Sequence, residues 1–72
     1  MDPRVLREHL AEAEAQAAKG LEHIAHQRTI IADLDRDGHD SRTANELLTA
    51  LLRSQALHEQ HRDRLKRELG LS

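Results

Sequence analysis

Apolar residues recur along this chain at alternating spacings of three and four, in two stretches separated by a polar break. The first stretch runs Leu6, Leu10, Ala13, Ala17, Gly20, Ile24, Gln27, Ile31 and Leu34, with Leu21 and Ile30 beside it. The second runs Ala44, Leu48, Leu51, Gln55, His58, Arg62, Leu65 and Leu69, widened by Leu47 and Leu52 and polar in its middle. This is the heptad pattern of helices that each bury one stripe. No strand-like alternation competes: the run Glu12-Ala13-Glu14-Ala15 is short, and alanine favours helix over strand.

The breaks in the pattern carry helix punctuation. Asp2 before Pro3 is an N-cap followed by a first-turn proline, whose missing N–H costs nothing there. Nothing interrupts the helix until Asp37-Gly38-His39-Asp40, where Gly38 supplies the left-handed residue that closes a helix and Asp40 caps the next. Thr43 with Glu46 also has capping-box spacing, which leaves the second start open by two or three residues. Gly70 is the final stop. The spacing therefore predicts an all-α chain, helices over about 3–37 and 41–69 joined by a short loop, folded as a single antiparallel hairpin domain over 1–72 that is roughly 50 Å long.

Folding the hairpin about Gly38 brings together residues whose numbers add to about 77. Ile24 to Leu34 then lie beside Asp40 to Arg53, and this end holds most of the bulk. The other end sets Ala11, Ala13, Ala15, Ala17 and Ala18 against the polar stretch 59–66. Gly20 falls opposite His58, either as knob-and-gap packing or as room for a ligand at that histidine.

Composition makes this core thin. Ten of the twenty-seven apolar residues are alanine, and the chain has no Phe, Tyr, Trp or Cys. A domain of 72 residues buries only about 60% of its unfolded surface, so the expectation is a second copy, with two hairpins forming a four-helix bundle. Leu47, Leu48, Leu51 and Leu52 span too wide an arc for one facing helix to cover. With Ile24, Ile31 and Leu34 they are the expected oligomer interface, while Gln27, Gln55 and His58 are expected to form a polar core layer.

Charge adds little to bind. The net charge is -2, which argues against a general affinity for nucleic acid. Residues 1–37 carry net -3 and residues 38–72 net +1, with Arg62, Arg64, Lys66 and Arg67 expected opposite the stretch of Glu8, Glu12 and Glu14, which would answer their charge. No stretch approaches the roughly 20 apolar residues that span a membrane, and Met-Asp-Pro-Arg lacks the apolar region of a secretory signal. The expected setting is the cytoplasm.

The candidates for chemistry are histidines and aspartates. His23 with His26, and His58 with His61, are pairs three residues apart on one side of a helix, a spacing that holds zinc or a di-metal centre when carboxylates join. The hairpin arithmetic sets the two pairs roughly 6–15 Å apart along the axis, so joining all four takes a dimer, and the expectation is no metal and no other cofactor. His58-Glu59-Gln60-His61 departs from the His-Glu-x-x-His of metalloproteases. Asp33, Asp35, Asp37 and Gly38 follow the start of a calcium loop, but Ala44 stands where the twelfth-position Glu belongs. There is no phosphate loop, and Ser41 and Ser54 lack an activating motif. No enzymatic activity is expected.

Several segments carry a resemblance: His23-Ile24-Ala25-His26-Gln27-Arg28, Ile30-Ile31, Leu34, Gly38-His39-Asp40, Leu47-Leu48, Ser54-Gln55-Ala56-Leu57-His58 and Arg62-Asp63-Arg64-Leu65. Over about forty residues the chain resembles small uncharacterised helical-hairpin proteins of alphaproteobacteria. That likeness implies a bacterial, cytoplasmic hairpin and carries over no functional residue. Residues 54–58 are also similar to the Ser-Gln-x-Leu-Asp motif of sporulation aspartyl-phosphatase hairpins, with His58 in place of the acidic residue. That second likeness implies a hairpin that docks on a signalling protein rather than a phosphatase. The expected function is a self-associating structural or interaction protein, with a regulatory adaptor docking on another bacterial protein as the alternative and a histidine-based metal-binding bundle as a distant third.

Overall fold

The first helix starts where its capping chemistry puts it. In a computed structural model that describes residues 2–71, the Asp2 carboxylate accepts a hydrogen bond from the Arg4 amide at 2.9 Å and Pro3 occupies the first turn. Helix α1 spans Pro3–Arg36 and helix α2 spans Arg42–Glu68, each ending within a residue of the position expected from the punctuation. Gly38 has φ +75°, and its amide and that of His39 reach back to the carbonyls of Asp35 and Leu34 at 3.2 and 2.9 Å, the paired closure that a left-handed residue permits. Asp40 accepts from the Arg42 amide at 2.9 Å. The N-cap itself is Ser41 rather than the expected Asp40, which bonds the first helical amide from one residue further out, and Thr43 lies inside the helix.

The described residues contain no strand. The two helices pack against each other as an antiparallel hairpin with extents of 54 × 16 × 14 Å. All seventeen positions of the two heptad seams, from Leu6 to Leu34 and from Ala44 to Leu69, are buried or half-buried. The spacing of three and four keeps one stripe of each helix facing the other over this length.

The register differs from the expected one. The Gln27 side chain donates to the Ala44 carbonyl, the Gln55 side chain donates to the Ala17 carbonyl and Gly20 lies against Gln55, pairs whose numbers add to 71, 72 and 75 rather than 77. The cause is the connection. A non-helical residue covers up to about 3.4 Å against 1.5 Å in a helix, so residues 37–41 carry the chain back alongside the last turns of α1 before α2 begins. As a result Gly20 faces Gln55, not His58.

The bulk is at the loop end as expected, but the best-buried cluster is not. The buried apolar cluster is Leu6, Leu10, Ala13 and Leu65, with Leu69 packed against it, at the end away from the loop. At the loop end Ile24 is buried, whereas Ile30, Ile31, Leu34, Leu48 and Leu51 are half-buried and Leu47 and Leu52 are exposed. Leu47 and Leu52 stand five residues apart, about 140° around the helix. They flank the seam on opposite sides, where a single facing helix reaches neither.

A candidate interaction surface

The middle of the seam is held by two reciprocal hydrogen bonds. Gln27 Nε2 of α1 donates to the Ala44 carbonyl of α2, and Gln55 Nε2 of α2 donates to the Ala17 carbonyl of α1, both at 2.8 Å. Both glutamines are buried. Each bond crosses the interface to a backbone acceptor, so a one-turn slip of either helix would break both. Gln55 Oε1 is buried without a hydrogen-bond partner among the described residues and lies against Gly20. His58 is half-buried on the same seam, one heptad step beyond Gln55.

The remaining histidines do not assemble. His9, His23, His26, His39 and His61 are exposed, and among the described residues no group of three His, Cys, Asp or Glu side chains converges with metal-binding geometry. Asp33 and Asp37 are engaged by Arg36 at 3.0 and 3.5 Å. That local pairing offsets the unfavourable placing of carboxylates at a helix C-terminus, and α1 continues helical through Asp33 and Asp35 to Arg36.

Of the acidic residues expected opposite the basic end, Glu14 lies in one cleft with Arg62 and Lys66, but no salt bridge joins the two helices among the described residues. The ion pairs of the described residues join Arg4 to Asp2, Arg36 to Asp33 and Asp37, and Arg62 to Asp63, all within one helix or its cap. A shallow cleft lined by Glu14, Ala17, Ala18, Leu21, Arg62 and Lys66 identifies the flank that the two helices share on one side. On that flank the acidic Glu14 of α1 shares the cleft with the basic Arg62 and Lys66 of α2, while Leu21 and Leu52, and Arg28 and Asn45, hold the equivalent heptad positions further towards the loop. No salt bridge closes across the cleft among the described residues, and the Arg62 guanidinium turns instead to Asp63 at 3.0 Å.

The large apolar residues exposed outside the seam are Leu21, Leu47 and Leu52 on its flanks, Leu57 on the outer side of α2 and Leu71 past its end. Leu21 and Leu52, 57% and 42% exposed, share the flank of the cleft; Leu47, 50% exposed, lies on the other. Of the expected interface residues, Ile24 is buried inside the hairpin, Ile31, Leu34, Leu48 and Leu51 form the half-buried edge, and Leu47 and Leu52 stand clear of it. Leu21 is an exposed flank leucine that was not among the expected interface residues. Its signal was present, since it has the same heptad position as Leu52, but only the observed register sets the two level.

No helix among the described residues is long and apolar enough to cross a membrane. No protein-family model, curated protein or solved structure matches the chain.

Proposed function

We propose that this hairpin is a structural and interaction protein that self-associates, two copies forming a four-helix bundle, with no catalytic activity. The observation that carries the reading is the leucine-rich segment 47–52, which α1 covers only along its inner edge and leaves with Leu47 and Leu52 at 50% and 42% exposure. In so small a chain, with no cysteine and no aromatic residue, uncovered leucines of this number are a large part of the available apolar area, and covering them stabilises the fold by about 25 cal/mol per Å². Sedimentation equilibrium from micromolar to millimolar concentration tests it. The expected mass is twice that of the chain, and a well-folded monomer throughout overturns the reading.

One observation favours a second reading, an adaptor that docks on a different protein. Leu47 and Leu52 lie on opposite flanks, so a single second copy covers one and leaves the other in water. An apolar patch of several hundred Å² remaining on the dimer is the mark of such a docking face.

A further inference from the structure

The flank that holds the cleft has an order of charges along α1. Glu14 and Arg28 stand seven residues either side of Leu21, and Arg7 and Asp35 fourteen either side. These five residues share one heptad position, so they lie in a row along the helix. About Leu21 the row is antisymmetric in charge: basic, acidic, apolar, basic, acidic. On α2 the same flank carries Asn45 and Glu59 seven residues either side of Leu52.

We propose that the second copy seats on this flank by a two-fold axis at the level of Leu21 and Leu52, running across the hairpin, so that α1 packs antiparallel on the partner's α1. The inference rests on the self-association reading and names its face and sense. A two-fold contact is isologous, so each residue meets the partner's equivalent of what meets it. With the axis at Leu21, that leucine meets its own copy, Glu14 meets Arg28 and Arg7 meets Asp35, each pairing occurring twice. The other two-fold choice runs along the hairpin and lays α1 on the partner's α2 at the same level. There the Arg28 and Asp35 half of the row meets only Asn45 and Leu52 of the partner's α2 row, so those two charges find no opposite charge to complement them. The charge order thus selects the arrangement that lays α1 on the partner's α1, in which every charge of the α1 row meets one of opposite sign.

Size and shape agree with this. Leu21 lies near the middle of the long axis, so a partner turned about it overlaps nearly the whole hairpin. A face of 54 by 16 Å is about 860 Å², near the roughly 800 Å² that each partner contributes to a stable interface. Alanines at 11, 18, 25 and 32 lie next to the charged row on α1 and leave the flank low enough for helices to approach. The opposite flank, with His9, Gln16, His23 and Ile30 on α1 and Leu47, Ser54, His61 and Glu68 on α2, has no such self-complementary order.

Charge reversal and cross-linking on the full chain test the proposal. Glu14→Arg and Arg28→Glu, each alone, set like charges against each other twice and are expected to weaken the dimer about tenfold; the double reversal is expected to restore it. Both positions are exposed, so circular dichroism should show the hairpin fold unchanged. The chain has no cysteine, and under oxidation Leu21→Cys is expected to form a disulfide-linked dimer while Leu47→Cys stays single. A dimer that ignores both reversals, or that cross-links through position 47 and not 21, overturns the face and sense while leaving self-association standing. A folded monomer at every concentration removes self-association itself.

Discussion

Gly20 leaves open the space that the Gln55 carboxamide fills: a Cβ built on Gly20 overlaps Gln55 Oε1. The glycine is in the interior of a 34-residue helix, where it costs about 1 kcal/mol relative to alanine. The space it opens lets Gln55 Nε2 reach the Ala17 carbonyl. The two residues are therefore one unit, split between the helices.

That unit gives a double-mutant prediction. Gly20→Ala gains helix propensity but displaces the Gln55 amide from its buried bond, a loss of about 1–3 kcal/mol, so a net destabilisation of about 1 kcal/mol is expected. In a Gln55→Ala background the same change should stabilise by about 1 kcal/mol. Urea unfolding of the four proteins measures it, and equal effects of Gly20→Ala in both backgrounds would show the two residues to be independent.

The orphaned acceptor of Gln55 gives another. Replacing Gln55 by Leu removes a buried oxygen without a partner together with one cross-helix bond, and the balance of a desolvation penalty of about 1–3 kcal/mol against a bond of about 1 kcal/mol favours the variant. The expected result is a higher melting temperature with a less uniquely defined assembly, read by calorimetry and sedimentation. A marked loss of stability would mean that the hydrogen bond to Ala17 is required for folding.

Leucines at the two ends of the hairpin should respond differently to concentration. Leu10 belongs to the buried cluster, so Leu10→Ala should cost about 2–5 kcal/mol at any concentration. Leu52 is exposed in the single hairpin, and Leu52→Ala should act on the dimer, lowering the melting point most where the chain is concentrated enough to associate. Identical shifts for Leu52→Ala across a hundredfold dilution would place that leucine outside any interface.

Zinc provides a separate check on the histidines. Since no three ligands converge among the described residues, zinc added to metal-free protein should leave the melting temperature unchanged. A large rise would mean that copies of the chain pool their histidines, because a ligand that binds only the folded state stabilises it in proportion to its affinity.

Much of this protein could be read from the order of its residues, and the reason is that the information is local. Asp2, Pro3, Gly38, Asp40 and Gly70 act on the backbone within a few residues of themselves, and the spacing of three and four specifies which stripe of each helix turns inward. Both helices and every seam position follow from these two kinds of signal.

The relative placement of the two stripes is not local, and there the sequence alone misled. Its level depends on the path of residues 37–41, where each non-helical residue travels further than a helical one, and a displacement of a few residues exchanged His58 for Gln55 opposite Gly20. Of the acidic residues expected to answer the basic end, Glu14 shares a cleft with Arg62 and Lys66 without closing a salt bridge. Residue order determined two helices and the stripe that each buries. Tertiary structure alone decided which residues meet across that stripe, because the register is set by the geometry of the connection and by two glutamine side chains that find backbone carbonyls on the opposite helix.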